Sequence, residues 1–220
     1  MGDVSFRFAR VRGQLIWVPA GASPQEIEAA IEAREARATA TAAVAAALPA
    51  SFVHDDPRPL LLADVDGVVC PYADELSDPA AAGLELATVG YTRVWLSHDI
   101  RQHLKRLAEL FQLVWCTGWE DHAAEFLAPF LGLPPLPVIH FEEPAEEDGH
   151  WKWPGIEAFV GDRSFAWIDD EVGHADLARA GRRSSPTMLV RIEGTHGLNE
   201  LHVEQLEGFA ETVRAWSGLG

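Results

Sequence analysis

Between Leu60 and Ile192 short apolar runs alternate with stretches whose apolar residues recur every three or four positions. A run that is apolar at successive positions is apolar on both faces of a strand, as in a parallel sheet covered on both sides. Five such runs predict strands: Leu60 to Val65, Leu110 to Cys116, Val138 to Phe141, Ser164 to Asp169 and Thr187 to Ile192. Helices are predicted between and after them. Asp99 to Glu109 puts Ile100, Leu104 and Leu107 on one stripe, and Asp121 to Leu131 does the same with Ala124, Phe126, Leu127 and Phe130. Gly155 to Val160, Val172 to Ala180 and Asn199 to Trp216 supply the rest. Alternating strands and helices predict an α/β fold, a doubly wound parallel sheet. The excursion from Cys70 to Ser97 departs from this rhythm. Leu84 to Gly90 and Tyr91 to Ser97 read as two strands turning near Gly90, a hairpin flap over the end of the first sheet strand.

Upstream, Phe6 to Val18 alternates like a strand or hairpin, and Ser23-Pro24-Gln25-Glu26 opens a helix that runs to about Leu48. Its alanine-rich body has helix propensity but little apolar bulk. Pro49 to Pro59 is turn-rich and reads as a linker. The expected organisation is therefore an amino-terminal extension over residues 1–58 and a main α/β domain over residues 59–220.

At 220 residues the chain is long enough for one sizeable core, given roughly 150 residues per domain. Its formal net charge of -17 works against phosphate backbones and anionic membranes, making nucleic acid an unfavoured general partner. The two cysteines, Cys70 and Cys116, follow apolar runs and read as buried free thiols. No secretory pattern opens the chain and no apolar run approaches the ~20 residues of a membrane span, so a soluble, cytoplasmic protein is expected.

The candidate chemistry lies where these runs end. Asp64 and Asp66 close the first run, Thr117 follows the second, Lys152 opens a later helix, and Asp169-Asp170 follow Ser164 to Ile168. In a parallel sheet these ends meet on one edge. Each residue type then has a task in moving a phosphoryl group, where positioning and charge neutralisation dominate. Mg2+, a hard cation that takes oxygen ligands, would be held by Asp64, the Asp66 backbone carbonyl and Asp169 or Asp170. Asp64 could then attack phosphorus, Asp66 could protonate the leaving alcohol and later activate water, and Thr117 and Lys152 could hold the transferring oxygens.

The order acid pair, threonine, lysine, acid pair resembles the haloacid dehalogenase (HAD) superfamily of hydrolases over about Leu60 to Ile192. Asp64-Val-Asp66-Gly-Val68 resembles its first motif, Thr117 the second, Lys152 the third and Asp169-Asp170 the fourth. Lys105 sits in a predicted helix body, which leaves Lys152 the sole lysine for the third. The resemblance implies a Rossmann-like core and a phosphatase, because in this family a second aspartate at the Asp66 position accompanies phosphoryl chemistry. It also implies substrate binding by Thr117, Gly118 and Lys152, and metal binding by Asp64, Asp66, Asp169 and Asp170. The inserts after the first motif and before the lysine are too short for a cap domain, so an open, uncapped site is expected. Phosphotransfer, or a catalytically idle member that binds a protein partner, are the other readings.

Other features read more plainly. Asp162-Arg163 precedes its strand and has no second acid after it, so it reads as a turn. Trp119, Trp151 and Trp153 flank Thr117 and Lys152, either as core or rim walls or as stacking surfaces. Glu142 to Asp148 reads as a solvated acidic loop, and His98, His140, His150 and His174 as surface or capping histidines. Thr195 to Leu198 reads as a loop able to approach the site.

Overall fold

The computed structural model describes residues 6–11 and 14–19 by backbone course, and residues 23–25, 56–141 and 150–217. The chain divides into two compact units, Met1–Ala50 and Ser51–Gly220. In the first unit β1 (Phe6–Val11) pairs antiparallel with β2 (Gln14–Pro19), the hairpin predicted there. The predicted alanine-rich helix lies, beyond Gln25, outside the described residues, as do the start of the linker and the acidic loop from Glu142 to Asp148.

The second unit is built on a parallel sheet of four strands: β3 (Leu60–Ala63), β6 (Gln112–Trp115), β7 (Phe165–Asp169) and β8 (Thr187–Arg191), in the order β6-β3-β7-β8. The chain leaves β3 to form β6 on one side and then crosses to β7 on the other. That reversal opens a crevice at the carboxyl end of β3, where ligands bind in open α/β sheets. Strand β3 is fully buried. Leu61 and Ala63 join the larger core, with Ile100, Leu104 and Leu107 of α1 (Ile100–Leu110) and Val203 and Leu206 of α5 (Glu200–Ser217). Leu60 and Leu62 join the other, with Trp153, Ile156 and Val160 of α3 (Trp153–Val160), beyond which α4 (His174–Ala180) follows β7. Apolar residues on both faces of β3 thus have a helix layer to pack against, which is what its unbroken apolar run requires.

Two elements differ from the sequence pattern. The strand expected over Val138 to Phe141 is a single bridge, Val138 to Trp115. The preceding Pro134, Pro135 and Pro137 lack the N–H groups a ladder needs, so the edge pairs only around Trp115, whose N–H donates to the Pro137 carbonyl (2.9 Å) and whose carbonyl accepts the Ile139 N–H (2.9 Å). The helix expected over Asp121 to Leu131 forms across that range, but its middle widens into a π-helical stretch, Ala123–Leu127, continued by α2 (Ala128–Leu131). Pro129 offers no N–H to the preceding turn, and a widened turn accommodates that.

The flap forms as predicted: β4 (Leu84–Val89) and β5 (Thr92–Ser97) pair antiparallel around Gly90. Gly90 has φ +61°, and a Cβ there would come within 2.9 Å of the Phe126 ring. Close packing of the turn on the π-helical stretch thus requires glycine. Asp56 and Arg58 tie the entry to β3 onto α1. The Arg58 guanidinium donates to both Asp56 carboxylate oxygens and to the carbonyls of Ala108 (2.8 Å) and Phe111 (3.4 Å), capping the carboxyl end of that helix.

Candidate active site

Strand β3 ends one residue before Asp64, whose backbone N–H still donates to the Ile168 carbonyl of β7 (3.1 Å). The chain then turns sharply: the N–H groups of Val68, Val69 and Cys70 all converge on the Val65 carbonyl. Gly67, at φ +69°, makes that turn possible. A Cβ there would lie 2.6 Å from Asp170 Oδ2 and 2.8 Å from the Tyr72 ring, so its bare backbone also makes room for an acid of the site.

Lys152 reaches this edge from the start of α3. Its Nζ lies 2.7 Å from Asp64 Oδ2 and 2.7 Å from Asp169 Oδ2, and all three side chains are buried. One ammonium cannot neutralise two buried carboxylates, and the two therefore titrate apart. Burial pushes Asp64 up to about 7 against the opposing pull of Lys152. Burial would raise Asp169 as well, but the His150 imidazole beside it and the Lys152 charge hold it below the usual carboxylate range. Burial alone would lower Lys152, yet Asp64 and Asp169 keep it charged. Asp170 is half-buried and is pushed up by burial and by its acidic neighbours.

Asp66 stands slightly apart. The Trp119 indole N–H donates to both of its oxygens, at 3.1 and 3.0 Å, while burial pushes its carboxyl up to about 6. A carboxyl titrating near neutrality can both give and take a proton. Thr117 is wholly buried at the end of β6, and its hydroxyl oxygen accepts the Trp119 backbone N–H (3.2 Å). The half-buried Gly118 and then Glu120, at φ +47°, complete this tight turn.

Every residue singled out by the motif order thus sits at the carboxyl ends of β3, β6 and β7 or at the start of α3. Asp162-Arg163 forms a turn, as predicted: Asp162 is exposed, and Arg163 donates to the carbonyls of Asp56 and Arg58. The loop before α5 reaches the turn after β3, with Leu198 N–H donating to the Val68 carbonyl and Tyr72 N–H to that of Gly194. Cys70 and Cys116 are buried free thiols.

Two side chains at the site carry roles that spacing did not reveal. Trp119 is buried and orients Asp66 instead of offering a stacking face; Trp153 is also buried, its indole N–H on Asp176 Oδ1 (2.7 Å). His150 is neither a surface nor a capping histidine. Its side chain is buried beside Asp169, with Nε2 3.6 Å from Asp169 Oδ1. The signal in the sequence was its place two residues before the only candidate lysine. His140, by contrast, is exposed and pairs with Asp121 (2.9 Å).

A family model described as the HAD domain in Swiss Army Knife RNA repair proteins matches residues 60–203. The chain belongs to this HAD family. Neither the curated proteins nor the solved structures gave a significant match. The match spans every motif from Asp64 to Asp170 and supports a HAD-superfamily hydrolase with a mostly parallel α/β core. HAD domains typically use Mg2+, and the donors here suit such an ion. Oxygen atoms of Asp64, Asp169 and Asp170 lie within 4.8 Å of one another. Beside them Lys152 offsets only part of the negative charge of Asp64, Asp169 and Asp170, and a hard cation with carboxylate ligands is the natural complement. Among the described residues no helix is long and apolar enough to cross a membrane.

Proposed function

We propose that this HAD domain is a magnesium-dependent phosphomonoester hydrolase working through an aspartyl phosphate on Asp64. The observation that carries the proposal is the shared contact of Lys152 Nζ with Asp64 Oδ2 and Asp169 Oδ2, each 2.7 Å away, beside Asp170. Mg2+ held by Asp64, Asp169, Asp170 and the Asp66 carbonyl would offset the charge of the phosphate dianion and let a carboxylate approach it.

A carboxylate oxygen of Asp64 attacks phosphorus, and the bond from phosphorus to the ester oxygen breaks. The leaving oxygen takes the proton of Asp66, whose carboxyl is pushed up to about 6. In the second step water attacks the phosphorus while Asp66 accepts its proton; the bond to Asp64 breaks and inorganic phosphate leaves. Lys152 holds Asp64 in line throughout, and Thr117 and Gly118 line the position of the transferring oxygens. Trp119 keeps Asp66 facing the leaving group.

The flap is a two-stranded hairpin, which leaves an open site suited to a phosphate carried on a large or small molecule. A terminal phosphate of RNA is the second substrate reading, favoured by the RNA repair proteins in the family description. The net charge of -17 acts against it. Hydrolysis of an aryl phosphate and of 3′- and 5′-phosphorylated oligoribonucleotides, with and without Mg2+ and alongside Asp64→Asn, tests the proposal. Magnesium-dependent release of phosphate, abolished in the variant, is expected. Turnover insensitive to either change would contradict the mechanism, and no turnover on any of these would favour an idle, protein-binding member.

A further inference from the structure

The mechanism leaves one buried nitrogen-bearing side chain at the site without a task. The His150 side chain is 4% exposed, and its Nδ1 accepts the backbone N–H of Lys152 (3.3 Å). A ring nitrogen that accepts carries no hydrogen, so the hydrogen of this imidazole lies on Nε2. That Nε2 is buried with no hydrogen-bond partner among the described residues. It lies 3.6 Å from Asp169 Oδ1 and 3.7 Å from Oε2 of the exposed Glu171. The ring is held in this direction by an edge contact with Trp167 (4.9 Å, 80°) and a stack on Trp151 (6.0 Å, 26°). Trp167 lies on β7 two residues before Asp169, so the strand that carries the acid also clamps the imidazole that faces it.

We propose that His150 is a positioning residue that fixes Lys152 through Nδ1 and Asp169 through its Nε2–H, setting the lysine and the metal-ligating acid relative to each other. The inference rests on the metal-dependent reading above. Asp169 Oδ2 is taken by Lys152 Nζ, and Oδ1 accepts the Glu171 N–H (2.8 Å). A carboxylate oxygen accepts two hydrogen bonds, so Oδ1 has room for the second donor that His150 presents. At 3.6 Å the contact is longer than a formed hydrogen bond, and a closure of about half an ångström completes it; such contacts commonly tighten when a site is loaded. Holding the carboxylate against rotation raises its value as a ligand, and loss of an outer partner of this kind typically weakens metal binding about 10–100-fold.

The test is calorimetric titration of the full chain with Mg2+, together with melting in EDTA. His150→Phe keeps the ring volume but neither nitrogen, and it is expected to weaken Mg2+ binding about tenfold or more. His150→Gln can present an oxygen to the Lys152 N–H and an N–H to Asp169, and should bind Mg2+ close to wild type. His150→Asn reaches the Lys152 amide but not Asp169, and should bind as weakly as the phenylalanine variant. If His150→Phe does not fold, the Gln and Asn variants carry the comparison. Asp169→Asn serves as the control for the metal reading. Loss of binding in Asp169→Asn with wild-type binding in His150→Asn would overturn the role of His150 alone. So would a Gln variant no better than Asn, or a lower melting point in EDTA with unchanged Mg2+ affinity. Wild-type Mg2+ binding by Asp169→Asn would overturn the metal reading and this inference with it.

Discussion

Asp66 and Asp64 lie two residues apart, yet their surroundings give them different tasks. Asp64 is locked to Lys152, whereas Asp66 answers to the indole of Trp119. Trp119→Phe keeps the wall and removes the donor. A hydrogen bond to a charged group is worth about 1.5–3 kcal/mol, so kcat on an aryl phosphate should fall roughly tenfold to hundredfold with KM little changed. Lys152→Met would leave Asp64 and Asp169 facing each other without a cation. Breaking a buried pair in this way costs about 3–5 kcal/mol, which urea unfolding in EDTA should register, with part of the loss restored by Mg2+. At this scale the acids, Thr117 and Lys152 were legible because each closes or opens an element. Trp119 and His150 were not, because their significance lies in contacts with Asp66 and Asp169, and no local pattern records a pairing between distant positions.

The turn after β3 is where element geometry and chemistry coincide. Gly67→Ala would place a methyl group 2.6 Å from Asp170 Oδ2 and force an ordinary residue into φ +69°. The backbone cost alone is about 1–2 kcal/mol. Mg2+ affinity should fall along with the melting temperature, because the displaced atom belongs to a proposed ligand. The entry to β3 has its own test in the Asp56–Arg58 pair (2.6 Å). Hydrogen bonding from Arg58 holds Asp56 below its ordinary 3.8, so the stabilisation is complete above that value and is lost as pH falls through the lower, folded one. Asp56→Asn should therefore lower stability at neutral pH by about 0.5–1 kcal/mol, and the difference from wild type should shrink as the pH drops below 3.8 in acid melting experiments. Four of the five predicted sheet strands and the flap were readable from runs of apolar residues. The Val138 bridge and the π-helical stretch were not, because Pro137 and Pro129 alter hydrogen bonding without altering the apolar pattern around them.

For the whole molecule, the net charge of -17 sets how substrates arrive. A polyanionic substrate is repelled at long range, and salt screens that repulsion. If the chain acts on phosphorylated oligoribonucleotides, kcat/KM should rise with ionic strength at fixed Mg2+, opposite to the usual behaviour of basic nucleic-acid enzymes. A small aryl phosphate should respond less. The sheet order β6-β3-β7-β8 explains why residues as far apart as Asp64 and Asp170 form one site, since the reversal at β3 brings the ends of its two neighbours beside it. That edge was foreseeable from alternating strands and helices, but substrate identity was not, because an open site carries few side chains dedicated to the leaving group. The claim that joins all three scales is that Asp64 takes the phosphoryl group. Acid-quenched turnover followed by peptide mass analysis tests it most directly. The account predicts a hydroxylamine-sensitive phosphoryl group on the peptide containing Asp64, dependent on Mg2+, enriched in Asp66→Asn and absent in Asp64→Asn. Phosphate release with no such adduct in Asp66→Asn, or an adduct on another residue, would contradict it.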